Sequence, residues 1–189
     1  MTGRIERLKA EYEIVPQWRA FPLHPETPEE GLTLERLFAD YPVNVEEIMG
    51  RLKKTAADLG LPFGDRRRTY NSRLAQELGL WAESRSRGDL FNQAAFRAYF
   101  VDGKNIARVP VLVDLAASVG LPAEEAKEVL TTRAWKAPVD ADWSEAREKE
   151  ITAVPTLVMN EKKLVGAQPY EAMERFVKSN GARRRSDLS

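Results

Sequence analysis

The chain has 189 residues, with 29 basic and 29 acidic side chains, a formal net charge of zero and 43% hydrophobic residues. That length suits one good core, or one domain carrying a large insertion. The balanced charge leaves no basic field to attract nucleic acid, no apolar run is long enough for a membrane span, and the absence of cysteine excludes disulfides, thiolate metal sites and a cysteine nucleophile. The first residues, Met1 to Arg7, lack the apolar core of a signal peptide, so a cytoplasmic location is expected.

Gly3 to Glu13 predicts a helix with Ile5, Leu8 and Tyr12 on one side. Val15 to Phe21 predicts a strand, with Pro16 pushing it toward an edge or an early strand position. A proline-rich connection, Phe21 to Gly31, follows. From Leu32 to Trp135 the pattern is helical. Thr33 to Tyr41 is a short helix. Asn44 can cap the next, Glu47 completes a capping box, and Gly60 suits its C-terminal turn. Val45, Ile48, Met49, Leu52, Ala56 and Leu59 make that helix's expected buried stripe. Asn71 begins a helix with Leu74, Leu78 and Trp81 inward. Phe91 to Val101 is aromatic-rich, and Pro110, Pro122 and Pro138 each open or enter a further helix.

Thr156 to Met159 and Lys163 to Gly166 flank the polar turn Asn160-Glu161-Lys162, which predicts a β-hairpin. Pro169 then opens a helix with Tyr170, Met173, Phe176 and Val177 on one face. Asn180 to Ser189 is polar and reads as a frayed, disordered tail.

Three pieces of sequence carry a resemblance. Ala153-Val-Pro-Thr156 precedes Val165-Gly-Ala-Gln-Pro169. Phe21, Leu23, Pro25, Pro28 and Gly31 match a Phe-x-Leu-x-Pro-x-x-Pro-x-x-Gly pattern. Gly3 to Leu8 resembles the helix that follows a Cys-x-x-Cys motif. Together they resemble the FrnE-like branch of the DsbA family, thioredoxin-like thiol–disulfide oxidoreductases. The resemblance implies an α/β, thioredoxin-like (DsbA-like) fold with a large helical insertion, N-terminally incomplete. Residues 1–31 and 138–179 would form a discontinuous thioredoxin-like domain, residues 32–137 the helical insertion and residues 180–189 the tail. The first strand and both redox cysteines have no counterpart here. A start placed downstream of them and a naturally cysteine-free variant both account for that. The need of such a sheet for its first strand favours the former.

The resemblance also implies that Val154–Pro155 is a cis bond facing the active site, and that Val154, Pro155 and Thr156 bind substrate. The family's reaction needs a thiolate to attack a disulfide sulfur. This chain is therefore expected to have no catalytic residue and no redox activity of its own, and no cofactor. Expected partners are a polypeptide or a small thiol or disulfide, not nucleic acid or membrane, with self-association through an exposed strand edge. Glutathione-dependent isomerases and kappa-class transferases share the architecture and are an alternative, but the serine they use near the first strand is also missing. A non-catalytic peptide-binding protein is a third reading, since strand addition needs no particular side chain.

Other candidates are weaker. His24, the one histidine, has no nucleophile placed beside it by any motif. Asp65-Arg66-Arg67-Arg68 reads as solvated surface. Phe91, Phe96, Tyr99 and Phe100 read as helical core.

Overall fold

A computed structural model describes residues 2–188; Met1 and Ser189 lie outside the described residues. In chain order it contains α1 (Thr2–Glu11), β1 (Leu32–Thr33), α2 (Leu34–Leu37), α3 (Val45–Asp58), β2 (Arg68–Thr69), α4 (Arg73–Ser84), α5 (Gly88–Phe100), α6 (Val109–Ser118), α7 (Ala123–Thr132) and α8 (Lys136–Glu148). The strands β3 (Thr156–Met159) and β4 (Lys162–Val165) follow, then α9 (Tyr170–Ser179) and a 3-10 turn, Arg185–Leu188. Prolines stand at the helix starts as expected. Pro110 is in the first turn of α6, Pro122 caps α7 and Pro169 caps α9, positions where a missing N–H breaks no bond. None of these helices is long and apolar enough to cross a membrane.

The chain divides into two compact units, Met1–Phe21 with Asp142–Ser189, and Pro22–Ala141. The proline-rich segment thus belongs with the helices, not with the thioredoxin-like part where its position had placed it.

In the first unit, Ile5, Leu8 and Tyr12 of α1 meet Tyr170, Met173 and Val177 of α9. Leu157, Met159 and Leu164 of the hairpin lie over that seam, as do Ile14 and Trp18. The strand expected at Val15–Phe21 is not formed. The segment has no regular structure, and Val15 is 87% exposed. An extended segment becomes a strand only by pairing, and among the described residues no strand lies along it.

The tail expected to fray from Asn180 is instead held along α1. The Glu13 N–H donates to the Arg183 carbonyl at 2.9 Å, Arg184 bridges to Tyr12, and Arg185 Nε donates to the Lys9 carbonyl at 3.1 Å. The Tyr170 hydroxyl donates to Glu11 at 2.8 Å beneath the Arg7 guanidinium. Burial and the Glu11 carboxylate push that phenol up to about 12.

The second unit is built on Leu78, Phe91, Leu112, Ala116, Ala126 and Leu130, contributed by α4 to α7. Glu77 on α4 is fully buried beside this core. Its Oε1 accepts from Arg73 Nε at 2.7 Å and from an Arg133 terminal nitrogen at 2.6 Å, while its Oε2 accepts from Arg133 Nε at 2.8 Å. Arg73 also reaches the Lys136 carbonyl at 2.9 Å and Asp140 at 2.7 Å. One carboxylate therefore ties α4 to the end of α7, and through Arg73 to the start of α8.

The proline-rich segment is fastened by side chains from this unit. Asn71 Nδ2 donates to the carbonyls of Pro25 and Thr27, Asn105 Nδ2 to that of Glu29, and Arg68 to those of Glu30 and Gly31, all at 2.8–3.0 Å. β1 and β2 pair antiparallel, Leu32 opposite Thr69. Gly31, at φ +75°, lies so close that a Cβ would collide with the Thr69 carbonyl and the Tyr70 ring. The basic cluster is solvated surface only in part: Asp65 and Arg67 are exposed, whereas Arg66 and Arg68 are half-buried. Besides Arg68, Arg66 stacks over Tyr99 at 4.6 Å, and Asp65 pairs with Lys53. Of the aromatics, Phe91 is buried, but Phe96 is exposed.

The expected burial of α3 is corrected as well. Asn44 caps it, accepting from the Glu47 N–H, but of its apolar stripe Ala56 alone is buried, and Leu52 and Leu59 are exposed. Periodicity establishes that a helix has an apolar face, not what covers it.

Two outcomes follow. Burial pushes the Glu77 carboxyl up, but the hydrogen bonds from Arg133 and Arg73 outweigh it and hold it below the usual range. A depressed folded pKa contributes stability that is complete above the unfolded value of about 4.3 and lost as pH falls through the folded one. Glu77→Gln should remove that acid-side slope from urea-unfolding curves, and Glu77→Ala should cost about 3 kcal/mol; wild-type stability in either variant would contradict the lock. Gly31→Ala should cost about 1–3 kcal/mol, read as a lowered urea midpoint at unchanged slope.

Candidate functional site

The residues marked out by sequence, Val154, Pro155 and Thr156, sit where the chain enters β3. The Val154–Pro155 bond is cis. Residues 152–155 are exposed, and residues 151–157 carry no ionisable side chain. Thr156 Oγ1 donates to the Ala153 carbonyl at 2.7 Å and closes the bend. The Gly166 N–H donates to the Pro155 carbonyl at 2.8 Å. The two halves of the motif, Ala153–Thr156 and Val165–Pro169, are therefore joined directly. Gly166, at φ +88°, turns the chain out of β4. Gln168 Nε2 donates to the Val165 carbonyl at 2.7 Å, and Arg4 of α1 donates to the Gln168 carbonyl at 2.9 Å.

The orientation of the backbone follows from the hairpin turn. Asn160 and Glu161 have φ of +48° and +66°, the signature of a two-residue turn with both central residues left-handed. Met159 then pairs with Lys162 and Leu157 with Leu164. In an antiparallel ladder, hydrogen-bonded and non-bonded pairs alternate. The bond at Pro155 fixes the phase, so residues 155, 157 and 159 turn their polar groups toward β4. Thr156 and Val158 turn theirs to the outer edge. Among the described residues no strand lies along that edge.

The two edges of the hairpin differ in side chains. β4 carries Lys162 and Lys163, whereas Thr156–Met159 has neither charge nor proline. Edge lysines are a common guard against unwanted pairing, and here they guard one edge only. Val158, not singled out from the sequence, belongs to this outer edge; alternation counted from the two-residue turn was the signal that could have found it.

His24 lies in the other unit, exposed on the proline-rich segment at φ +55°. Among the described residues no group of His, Cys, Asp and Glu could hold a metal ion.

Comparison with known proteins places this geometry. The chain is 30% identical over 98 residues to the uncharacterized protein YwbO of Bacillus subtilis strain 168, an alignment covering 51% of this chain and 49% of that protein; the match thus spans about half the length of this curated relative. It superposes on the crystal structure of the probable DsbA oxidoreductase SCO1869 of Streptomyces coelicolor with a TM-score of 0.85 at 28% identity, covering 95% of this chain and 82% of that one. A 2-hydroxychromene-2-carboxylate isomerase structure shares the fold alone, with a TM-score of 0.62 at 16% identity, covering 82% and 79%. Residues 1–178 match the model of the DSBA-like thioredoxin domain, and the chain belongs to that family.

Proposed function

We propose that this chain acts on protein or small-molecule disulfides as a member of the thiol–disulfide oxidoreductase class, contributing the polypeptide-binding edge and not the sulfur chemistry. The single observation that carries the reading is the outer edge of β3, at Thr156 and Val158. Its backbone donors and acceptors alternate outward, uncharged side chains flank them, and the bend before them is held from both sides by Thr156 and Gly166. An extended substrate segment adds to such an edge as a strand. Main-chain hydrogen bonds supply affinity, and side chains on alternate positions supply selectivity. The likeness to a structure described as a probable DsbA oxidoreductase supports the substrate class.

The chemical step is a separate matter. Thiol–disulfide exchange breaks one sulfur–sulfur bond as a thiolate forms another, and this sequence holds no cysteine. Its edge binds the substrate segment without entering the exchange.

The test uses a soluble peptide of alternating valine and threonine as probe. Its addition should slow hydrogen exchange at the Thr156 and Val158 amides and shift their resonances. Val158→Pro removes one outward N–H while leaving the bonds to β4 intact, so it should abolish the response with the hairpin still formed. An unchanged response in that variant would sink the proposal. In an insulin-reduction assay the purified chain should give the rate of the no-protein blank; a rate above it would overturn the separation of binding from chemistry.

A further inference from the structure

A second surface lies in the helical unit. Tyr41, Val43, Leu52, Leu59 and Leu61 are all exposed, between 43% and 63%. They cluster in and around α3, the helix whose apolar stripe is largely uncovered. Beside its first turn an open groove of about 390 Å³ runs along Phe38, Tyr41, Val43 and Val45. Leu52 and Leu59 are seven residues apart and so share one face, with Ile48 and Val45 beside them.

The charges that flank this stripe indicate what covers it. The first turn carries Glu46 and Glu47, and the middle carries Arg51, Lys53 and Lys54. On a helical projection Glu46 and Lys53 border one side of the stripe, while Glu47 and Arg51 border the other. An antiparallel two-fold pairing centred near Met49 brings Glu46 opposite Lys53 of the second copy, and Glu47 opposite Arg51 of the second copy. Both borders become complementary in one register, with Ile48 against Leu52 across the seam. Lys53 is held in the monomer by Asp65 in an exposed pair, which exchanges at little cost. With Asp58 included, α3 has three acids and three bases, so it lacks the basic face that an amphipathic helix uses on an anionic membrane.

We infer that α3 is a self-association surface, on which a second copy of this chain pairs antiparallel through the Val45–Ile48–Leu52 stripe and the Glu46–Lys53 and Glu47–Arg51 borders. A 14-residue helix is about 21 Å long. The face is thus small beside the roughly 800 Å² per partner of a stable complex, and the dimer is weak and concentration-dependent.

Sedimentation equilibrium of the full chain tests this. The wild type should show a reversible monomer–dimer equilibrium. Leu52→Glu should raise its dissociation constant at least about tenfold with unchanged far-ultraviolet circular dichroism, because Leu52 is exposed. E46K/E47K and R51E/K53E should each be monomeric alone, since each carries one sign of charge on both borders, and should form a heterodimer when mixed. A wild type that stays monomeric up to its solubility limit overturns the inference, whether or not it binds lipid vesicles. So does a dimer that survives Leu52→Glu but is lost in Val158→Pro, which assigns association to the β3 edge. Failure of the mixed variants to associate overturns the charge register.

Discussion

The orientation of every group on the candidate site depends on one turn. Asn160 and Glu161 both take positive φ, a conformation that Asn tolerates and Glu adopts at a cost. Asn160 offsets part of it by donating to the Asn180 carbonyl at 2.9 Å, which ties the turn to the end of α9. With a two-residue turn the register has no freedom. Leu157, Met159 and Leu164 face the α1–α9 seam, and Thr156 and Val158 turn their backbone groups to the open edge. Core packing and edge presentation are two readings of the same parity.

The proline-rich segment shows a different economy. Prolines at 22, 25 and 28 leave carbonyls without neighbouring N–H groups to match them. The segment satisfies the His24 and Pro28 carbonyls from its own Thr27 and Gly31, and the carbonyls of Pro25, Thr27, Glu29, Glu30 and Gly31 are capped from outside, by Asn71, Asn105 and Arg68. Pro25 presents its carbonyl to Asn71 and Pro28 presents its own to the Gly31 N–H, and Gly31 lets the chain pass against Thr69. Arg68 looked like surface charge because its partners are backbone oxygens, which leave no trace in a charge pattern.

Much of the helical plan was legible because it is local. Caps, prolines and 3.6-residue periodicity are all written within a dozen residues, and Asn44, Pro122 and Pro169 stand where the sequence put them. The same holds for the hairpin and for the fold class, through the Val-Pro-Thr and Gly-Ala-Gln-Pro pieces. What could not be read depends on partners far along the chain. Val15 to Phe21 has strand-forming residues, but among the described residues no strand pairs with it. β1 and β2 are too short for any periodicity. Glu77 is an acid on a buried face, and its second arginine stands 56 residues away. Of the candidate site, the direction of the backbone groups could not be read, since that needs the register.

Strand addition through main-chain groups, the mode proposed above, requires no sulfur. A catalytic centre depends on particular atoms and is lost with one substitution. The edge of β3 depends on spacing, so most substitutions at Thr156 or Val158 leave its donors and acceptors in place. Its vulnerable features are geometric. One residue inserted within Thr156–Met159 would turn Leu157 and Met159 away from the α1–α9 seam and reverse the open edge in the same step, because side-chain direction alternates with every residue. The core therefore enforces the register that the edge requires. The register that packs Leu157 and Met159 against α1 and α9 is the one that turns the Thr156 and Val158 backbone groups to the open edge.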